Sequence, residues 1–302
     1  MKKEYLPKGW KLIEEVEDTI NVGEMKIYRS GLFAKNKEKV SLGAASGITS
    51  QRSRAYYELL ERIYLQEKNR VDSTEVKEYT FSITNGAAIH TCPELAKTSS
   101  VNELIERDRI LRSWYGFSDP KELVDDKFQI SEISKIYDIK LFEFLDENDP
   151  RSDIKVMGIF LYPKNESDHF LFGFGASDSI EKAFFKTKDE LITRLSFLWQ
   201  EEIEENYEFS PTSGHHQEFY LDKNNQLWID DWLTGKNPQK FLNYFKGSIP
   251  VLKDDIVADV KKIDHDGETL YLSQASSKTR EKLYFGQKYS IEKKKGLVHP
   301  IM

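Results

Sequence analysis

Glutamate and arginine recur along this chain in a fixed setting. In SRAYYELLER (53–62), Glu58, Glu61 and Arg62 stand at helical spacing, and SSVNELIER (99–107) repeats the arrangement in Glu103, Glu106 and Arg107. A stretch of small residues precedes each, SLGAASG at 41–47 and TNGAA at 84–88. A looser third copy places GFGAS (173–177) ahead of Lys186, Glu190 and Arg194, spaced i, i+4, i+8. On one helix, a glutamate four residues before an arginine is an ordinary exposed ion pair worth ~0.3 kcal/mol. Recurrence behind a glycine-containing turn says more, because glycine lets backbone approach a ligand closely. Three acidic helices facing one cleft repel each other unless a cation lies between them, and Mg2+, a hard ion with oxygen ligands, suits that place. Mg2+ commonly brings a polyphosphate, whose oxygens the adjacent arginines would bind by charge-assisted hydrogen bonds. The pattern therefore points to an ATP site without a P-loop, and neither G-x-x-x-x-G-K-[ST] nor G-x-G-x-x-G occurs.

Such groups need helices held on a sheet. In 51–66, Tyr56, Leu59, Leu60, Ile63 and Tyr64 form an apolar stripe that predicts an amphipathic helix with Glu58, Glu61 and Arg62 on the opposite face. Further helices are predicted at 94–115 and 178–205. Strands are predicted at 25–34 and at 76–84, where Tyr79, Phe81 and Ile83 alternate with Thr80 and Ser82. The runs 137–145, 154–161 and 169–175 read as a meander whose first turn is DENDPRSD, and 251–290 reads as short strands broken by HDGE and QASSKTRE. Asp108 falls on the inner stripe of its helix, where a buried carboxylate needs a partner. Trp114, Tyr115 and Phe117 read as core, with a cover for adenine as the alternative. The fold class is α+β, with mostly antiparallel or mixed sheets and packed helices. No linker separates two cores, so 25–302 is expected as one domain behind a lead-in at 1–24.

Composition bounds the function. Of the 302 residues, 39% are hydrophobic and 31% charged, and no stretch approaches the ~18 consecutive apolar residues of a membrane span. The N-terminal MKKEYLPKGWKLIEEVED has no apolar run of a secretory signal, so the expected location is the cytoplasm. The net charge of −7 argues against nucleic acid or an anionic membrane as partner. Lys35, Lys37, Lys39 and 293–295 are expected in solvated loops. The single cysteine, Cys92, excludes a disulfide framework or a cysteine-rich zinc site and is expected as a small buried residue.

The stretch TNGAAIHTCPELAKTSSVNELIERDRILRSWYG resembles the signature of the YcaO-like family, in which an Asn-Gly turn precedes a helix ending in Glu-x-x-Glu-Arg-Asp and an aromatic pair. GAASGITSQRSRAYYELLER resembles the family's upstream ATP-binding helix, and GFGASDSIEKAFFKTKDELITRL its third motif, without the Glu-Arg pair. The three stand in the expected order, and the resemblance runs from about residue 25 to the end. It implies a YcaO-like ATP-binding fold in which Glu58, Glu61, Glu103, Glu106 and Glu190 bind Mg2+ and phosphate. Arg62, Arg107 and Arg194 would be phosphate partners or orienting groups, and Asn85 would touch the nucleotide from its turn. Family members phosphorylate the oxygen of a peptide amide after a nucleophile has added to it. Residues 210–232 resemble the His-containing segment of azoline-forming members, and GLVHPIM, with Pro300, resembles a shortened form of their proline-rich ending. The implied activity is an ATP-dependent cyclodehydratase, as in bacteriocin biosynthesis, that turns Cys, Ser or Thr of a ribosomally made precursor peptide into thiazoline or oxazoline. His299, and after it His215 and His216, are candidate bases. The implied partners are the precursor peptide, a leader-peptide-binding protein, an azoline dehydrogenase and a second copy as homodimer. Thioamide or amidine formation, or a non-catalytic peptide-binding subunit, are the alternatives.

Overall fold

The computed structural model describes residues 6–37, 39–68, 79–81, 84–125, 127–199, 219–236, 251–281, 284–286 and 299–301. In chain order the elements are β1 (Lys11–Val22), β2 (Met25–Asn36), β3 (Lys39–Gly47), α1 (Arg52–Lys68), β4 (Tyr79–Phe81), β5 (Ala87–His90), α2 (Pro93–Trp114) and β6 (Pro120–Glu122). They continue with β7 (Tyr137–Phe144), β8 (Lys155–Pro163), β9 (Leu171–Ser177), α3 (Ile180–Leu198), α4 (Lys223–Leu233), β10 (Val257–His265), β11 (Glu268–Ser276) and β12 (Tyr284–Gly286). Every strand pairing among the described residues is antiparallel, so the α+β expectation holds without a mixed sheet. No helix among them is long and apolar enough to cross a membrane.

The chain divides into two compact units. Met1–Thr74, Ile83–Leu104 and Ile256–Ser277 form the first, and Glu75–Ser82, Ile105–Asp255 and Lys278–Met302 the second. Residues expected as a lead-in thus form β1, because Gly23, at φ +58, turns the chain back and lets β1 pair with β2 along its length.

In the first unit, α1 packs on both sheets. Ala55, Leu59 and Ile63 meet Trp10, Leu32, Ala34 and Ala45 of the β1–β2–β3 side, while Leu65 meets Ala87 and Leu272 of the β10–β11–β5 sheet. The β10–β11 hairpin turns at Asp266 and Gly267, both at positive φ, as a two-residue hairpin loop requires. Lys35 and Lys39 lie in strand ends that pair with each other's neighbours, not in a loop.

In the second unit the expected meander appears as β7–β8–β9, with β6 on its edge. Phe160, Phe172 and Phe174 of this sheet form a ring cluster that Trp232 of α4 and Trp114 of α2 extend. Trp114 is therefore core, and the Trp232 indole N–H donates to the Ser113 hydroxyl at 3.0 Å. The helix expected over 178–205 starts behind a Ser179 N-cap and ends at Leu198, while 200–205 lie outside the described residues.

One expectation is overturned in a useful way. SLGAASG and GFGAS are not turns but strand segments, in β3 and β9. Their glycines serve a helix. A Cβ on Gly43 would lie 2.5 Å from the Leu59 nitrogen and clash with the Ala55 carbonyl, and one on Gly173 would lie 3.0 Å from the Leu191 nitrogen. Gly175 is pressed in the same way by Thr187, at 2.6 Å. Of the motif glycines, only Gly86 sits in a turn, at φ +67, and a Cβ there would meet the Ala275 carbonyl at 2.9 Å and Leu104 at 3.2 Å. Gly43→Ala should consequently cost about 1–3 kcal/mol, as overpacking against helix backbone with no room to yield. Urea unfolding would measure it, with Gly267→Ala, beside open space, as a comparison for backbone strain alone.

Candidate active site

The same close contact recurs in each of the three motifs. Leu59 lies over Gly43, Leu104 over Gly86 and Leu191 over Gly173. In each case the residue before that leucine is a glutamate, Glu58, Glu103 or Glu190, and the residue three after it is an arginine, Arg62, Arg107 or Arg194. The third copy differs in having Thr193 where the others carry Glu61 and Glu106.

Glu58 accepts the Ala44 N–H at 3.2 Å and pairs with Arg62 at 2.6 Å, and Arg62 donates to the Leu42 carbonyl at 2.9 Å. Glu61 accepts the Ile89 N–H at 3.0 Å. These acids are half-buried and turned toward strand backbone, instead of standing free on the face opposite the apolar stripe. Glu103, Glu106 and Arg107 are also half-buried. Asn85 is 6% exposed, and its buried Oδ1 has no hydrogen-bond partner among the described residues.

In the second unit, Arg194 is 8% exposed and donates to the Phe172 carbonyl at 2.6 Å and to Glu190 at 3.4 Å. Burial pushes its guanidinium below the ordinary range, while Glu190 and Glu106 act in the opposite sense. Glu106, Glu190 and Arg194 are thus brought together. Among the described residues no group of three or more His, Cys, Asp or Glu side chains forms a ready metal cage. His299 is buried, at 3% exposure, and His215 and His216 lie outside the described residues. Cys92 is partly exposed, not buried: it stands just before α2, and its thiol donates to Glu94 at 3.0 Å.

Sequence reasoning missed a buried ionic cluster in the second unit. Arg280 reaches Asp108 at 2.7 Å and Asp149 at 2.6 Å, and the Glu281 N–H donates to Asp108 at 2.7 Å. Arg109 donates to Asp149 at 3.0 Å, and Arg112 to Asp146 at 2.7 Å. The signal available was Asp108 on an inner stripe together with the acids of DENDPRSD, but nothing local pairs them with Arg280. Burial pushes Asp108 up to about 6 despite Arg280, the Glu281 N–H and Arg112. Burial also acts on Asp149, yet Arg280, the Arg151 N–H and Arg109 hold it down to about 2.

A sequence model of the YcaO family, described as YcaO cyclodehydratase, ATP- and Mg2+-binding, matches residues 64–271, more than half of the chain. The chain belongs to the YcaO family. With that membership come ATP and Mg2+ as cofactors and an ATP-dependent enzymatic activity. No curated protein matches it. Among solved structures it is similar to a chain of the E. coli microcin synthetase McbBCD complex with pro-MccB17 bound, at TM-score 0.57 and 14% identity, over 91% of this chain and 92% of that one. YcaO from Methanopyrus kandleri bound with AMPPCP and Mg2+ gives 0.52 and 14%, over 88% and 85%. A heterocyclase in complex with substrate and cofactor gives 0.56 and 14%, over 88% of this chain and 49% of that one, so this chain spans about half of it. At such identities the similarity shows the fold. The YcaO donor set here fits the cofactors: half-buried carboxylates offer the oxygens a hard cation takes, and the Asn85 Oδ1 is an acceptor in want of a donor.

The ionic cluster makes two predictions. Asp149→Asn should cost about 3–5 kcal/mol at pH 7, because it removes the shared partner of Arg109 and Arg280 inside the protein. Asp108, whose folded value lies above the ordinary 3.8, opposes folding at neutral pH, and that cost fades as pH falls through 6. From pH 7 to about 4.5, wild type should therefore gain on the order of 2 kcal/mol relative to Asp108→Asn. Asp149, with its lowered value, keeps its contribution over that window and loses it only as pH falls toward 2. Denaturant titrations of both variants at several pH values check this.

Proposed function

We propose that this chain is a YcaO cyclodehydratase that forms thiazoline or oxazoline from Cys, Ser or Thr of a ribosomally made precursor peptide. Family membership and the resemblance of 210–232 to the His-containing segment of azoline-forming members support this reading. The observation that carries the nucleotide assignment is Asn85, a buried side chain whose acceptor oxygen has no partner among the described residues, beside the helix that bears Glu103. Such an oxygen suits a ribose hydroxyl, an exocyclic amine or a metal-bound water.

In this reading Glu58, Glu61, Glu103, Glu106 and Glu190 serve Mg2+ and phosphate. Arg62 and Arg107 serve the phosphates, and Arg194, held by the Phe172 carbonyl, orients Glu190. Bound ATP supplies the phosphoryl group that makes the amide oxygen a leaving group. The peptide's own thiol or hydroxyl adds to the preceding carbonyl and gives up its proton to a base, for which His299, His215 and His216 are the candidates. Once phosphorylated, the former carbonyl oxygen would depart as phosphate while the amide nitrogen gives up its proton to solvent, and the ring's C=N bond would form. The protein's contribution is to position the peptide and neutralise developing charge.

The microcin synthetase relative is a complex that binds pro-MccB17. In keeping with it, a precursor peptide and a leader-binding partner protein complete the system here, with a dehydrogenase for the azoline and a homodimer as further parts of the same proposal. Calorimetry tests the nucleotide site: wild type should bind MgATP, and Glu103→Gln should weaken binding at least about tenfold, the scale of one lost charge-assisted contact. Mass spectrometry tests the reaction, which should remove one water per ring from the precursor. Exchange of oxygen for sulfur in the product would instead establish thioamidation. Wild type that is folded but does not bind MgATP, alone or with its partner, would reject the reading.

A further inference from the structure

The β10–β11–β5 sheet holds α1 by directional contacts as well as by apolar packing. His265, the last residue of β10, is 8% exposed, and its imidazole stands between two tyrosines of α1. Nε2 lies 2.9 Å from the Tyr56 hydroxyl and Nδ1 3.0 Å from the Tyr64 hydroxyl. Those tyrosines are eight residues apart, about two helical turns, on the stripe that flanks Leu60. A neutral imidazole donates at one nitrogen and accepts at the other, and a phenol can answer either, so both tautomers keep the bridge.

The next face of α1 continues the pattern. Tyr57 hydrogen-bonds Glu268, the first residue of β11, and Glu61, four residues on, takes the Ile89 N–H of β5. All three strands of one sheet therefore grip one side of the helix, and Glu61 is one point of the grip. Burial of Leu59, Leu60 and Ile63 is non-directional, so by itself it tolerates rotation and sliding of the helix. Two hydrogen bonds from a single rigid ring to points two turns apart do not.

We propose that His265 is a positioning residue for the nucleotide site: it fixes the rotation and axial position of α1 and thereby sets Glu61 and Glu58. The inference rests on the reading that these carboxylates serve MgATP, but its geometric part can be tested apart from that reading.

Three variants suffice. His265→Phe keeps a ring and removes both bonds, Tyr56→Phe/Tyr64→Phe removes only the hydroxyls, and Ile63→Val is a packing control with all bridging groups intact. Hydrogen exchange reads the protection of the Ile89 amide, and calorimetry reads MgATP affinity. His265→Phe and the double tyrosine variant should each lower Ile89 protection and weaken MgATP by about tenfold, the effect of roughly one hydrogen bond. Ile63→Val should lower the melting temperature and leave both readouts unchanged. Unchanged Ile89 protection in both bridge variants, or an equal change in Ile63→Val, overturns the proposal. If wild type does not bind MgATP, the function reading fails, and Ile89 protection still decides whether His265 sets Glu61. Should His265→Phe fail to fold, the tyrosine pair carries the test.

Discussion

Helix backbone rests on strand or turn backbone at Gly43, Gly86 and Gly173, with no side chain between them, and the candidate site follows from that contact. A Cβ at Gly43 would drive the helix away by a distance that dense packing cannot absorb, and one at Gly173 would press tightly on Leu191. The residue over each glycine is a leucine, and its preceding neighbour is a glutamate. Steric contact at one point thus places the carboxylate at the next. It also explains why Glu58 reaches the Ala44 N–H beside Gly43. In the third copy the contact persists at Leu191 while the second acid is replaced by Thr193, so the frame outlasts one of the groups that it carries.

The second constraint is electrostatic. Three aspartates and three arginines are buried together in the second unit, each paired with an opposite charge. Burying six charges adds little net stability compared with apolar residues of the same size, because desolvation offsets attraction. Its consequence is specificity. Arg109 and Arg112 of α2 donate to carboxylates of the β7–β8 connection, Arg109 also to the Ile154 and Arg151 carbonyls, and Asp108 accepts from Arg280 and the Glu281 N–H. The arrangement also drives Asp149 down to about 2 and Asp108 up to about 6, since Asp149 takes most of the positive charge and Asp108 most of the burial.

These constraints suit a nucleotide site assembled without a phosphate-binding loop. A P-loop gathers its donors within one short turn, whereas the acids proposed for this site are carried on helices. Each helix must then be held to within a fraction of an ångström by contacts far from the chemistry. The glycine contacts and the His265 bridge are contacts of that kind in the proposed site.

The sequence by itself determined the periodic elements, the family and the acid-bearing helices. An apolar stripe at helical spacing has one economical solution, Asp-Gly makes a tight hairpin from local backbone preference, and three motifs in order exclude chance. The character of SLGAASG was not legible, because small residues suit a turn locally and become a strand only when a helix lies on them. The partners of Asp108 and the role of His265 were not legible either. Arg280 lies 172 residues from Asp108, and His265 lies 209 from Tyr56. No local preference records a pairing at such separation. Only the tertiary structure, by closing those loops and removing water from the groups, decided which charges and rings would meet.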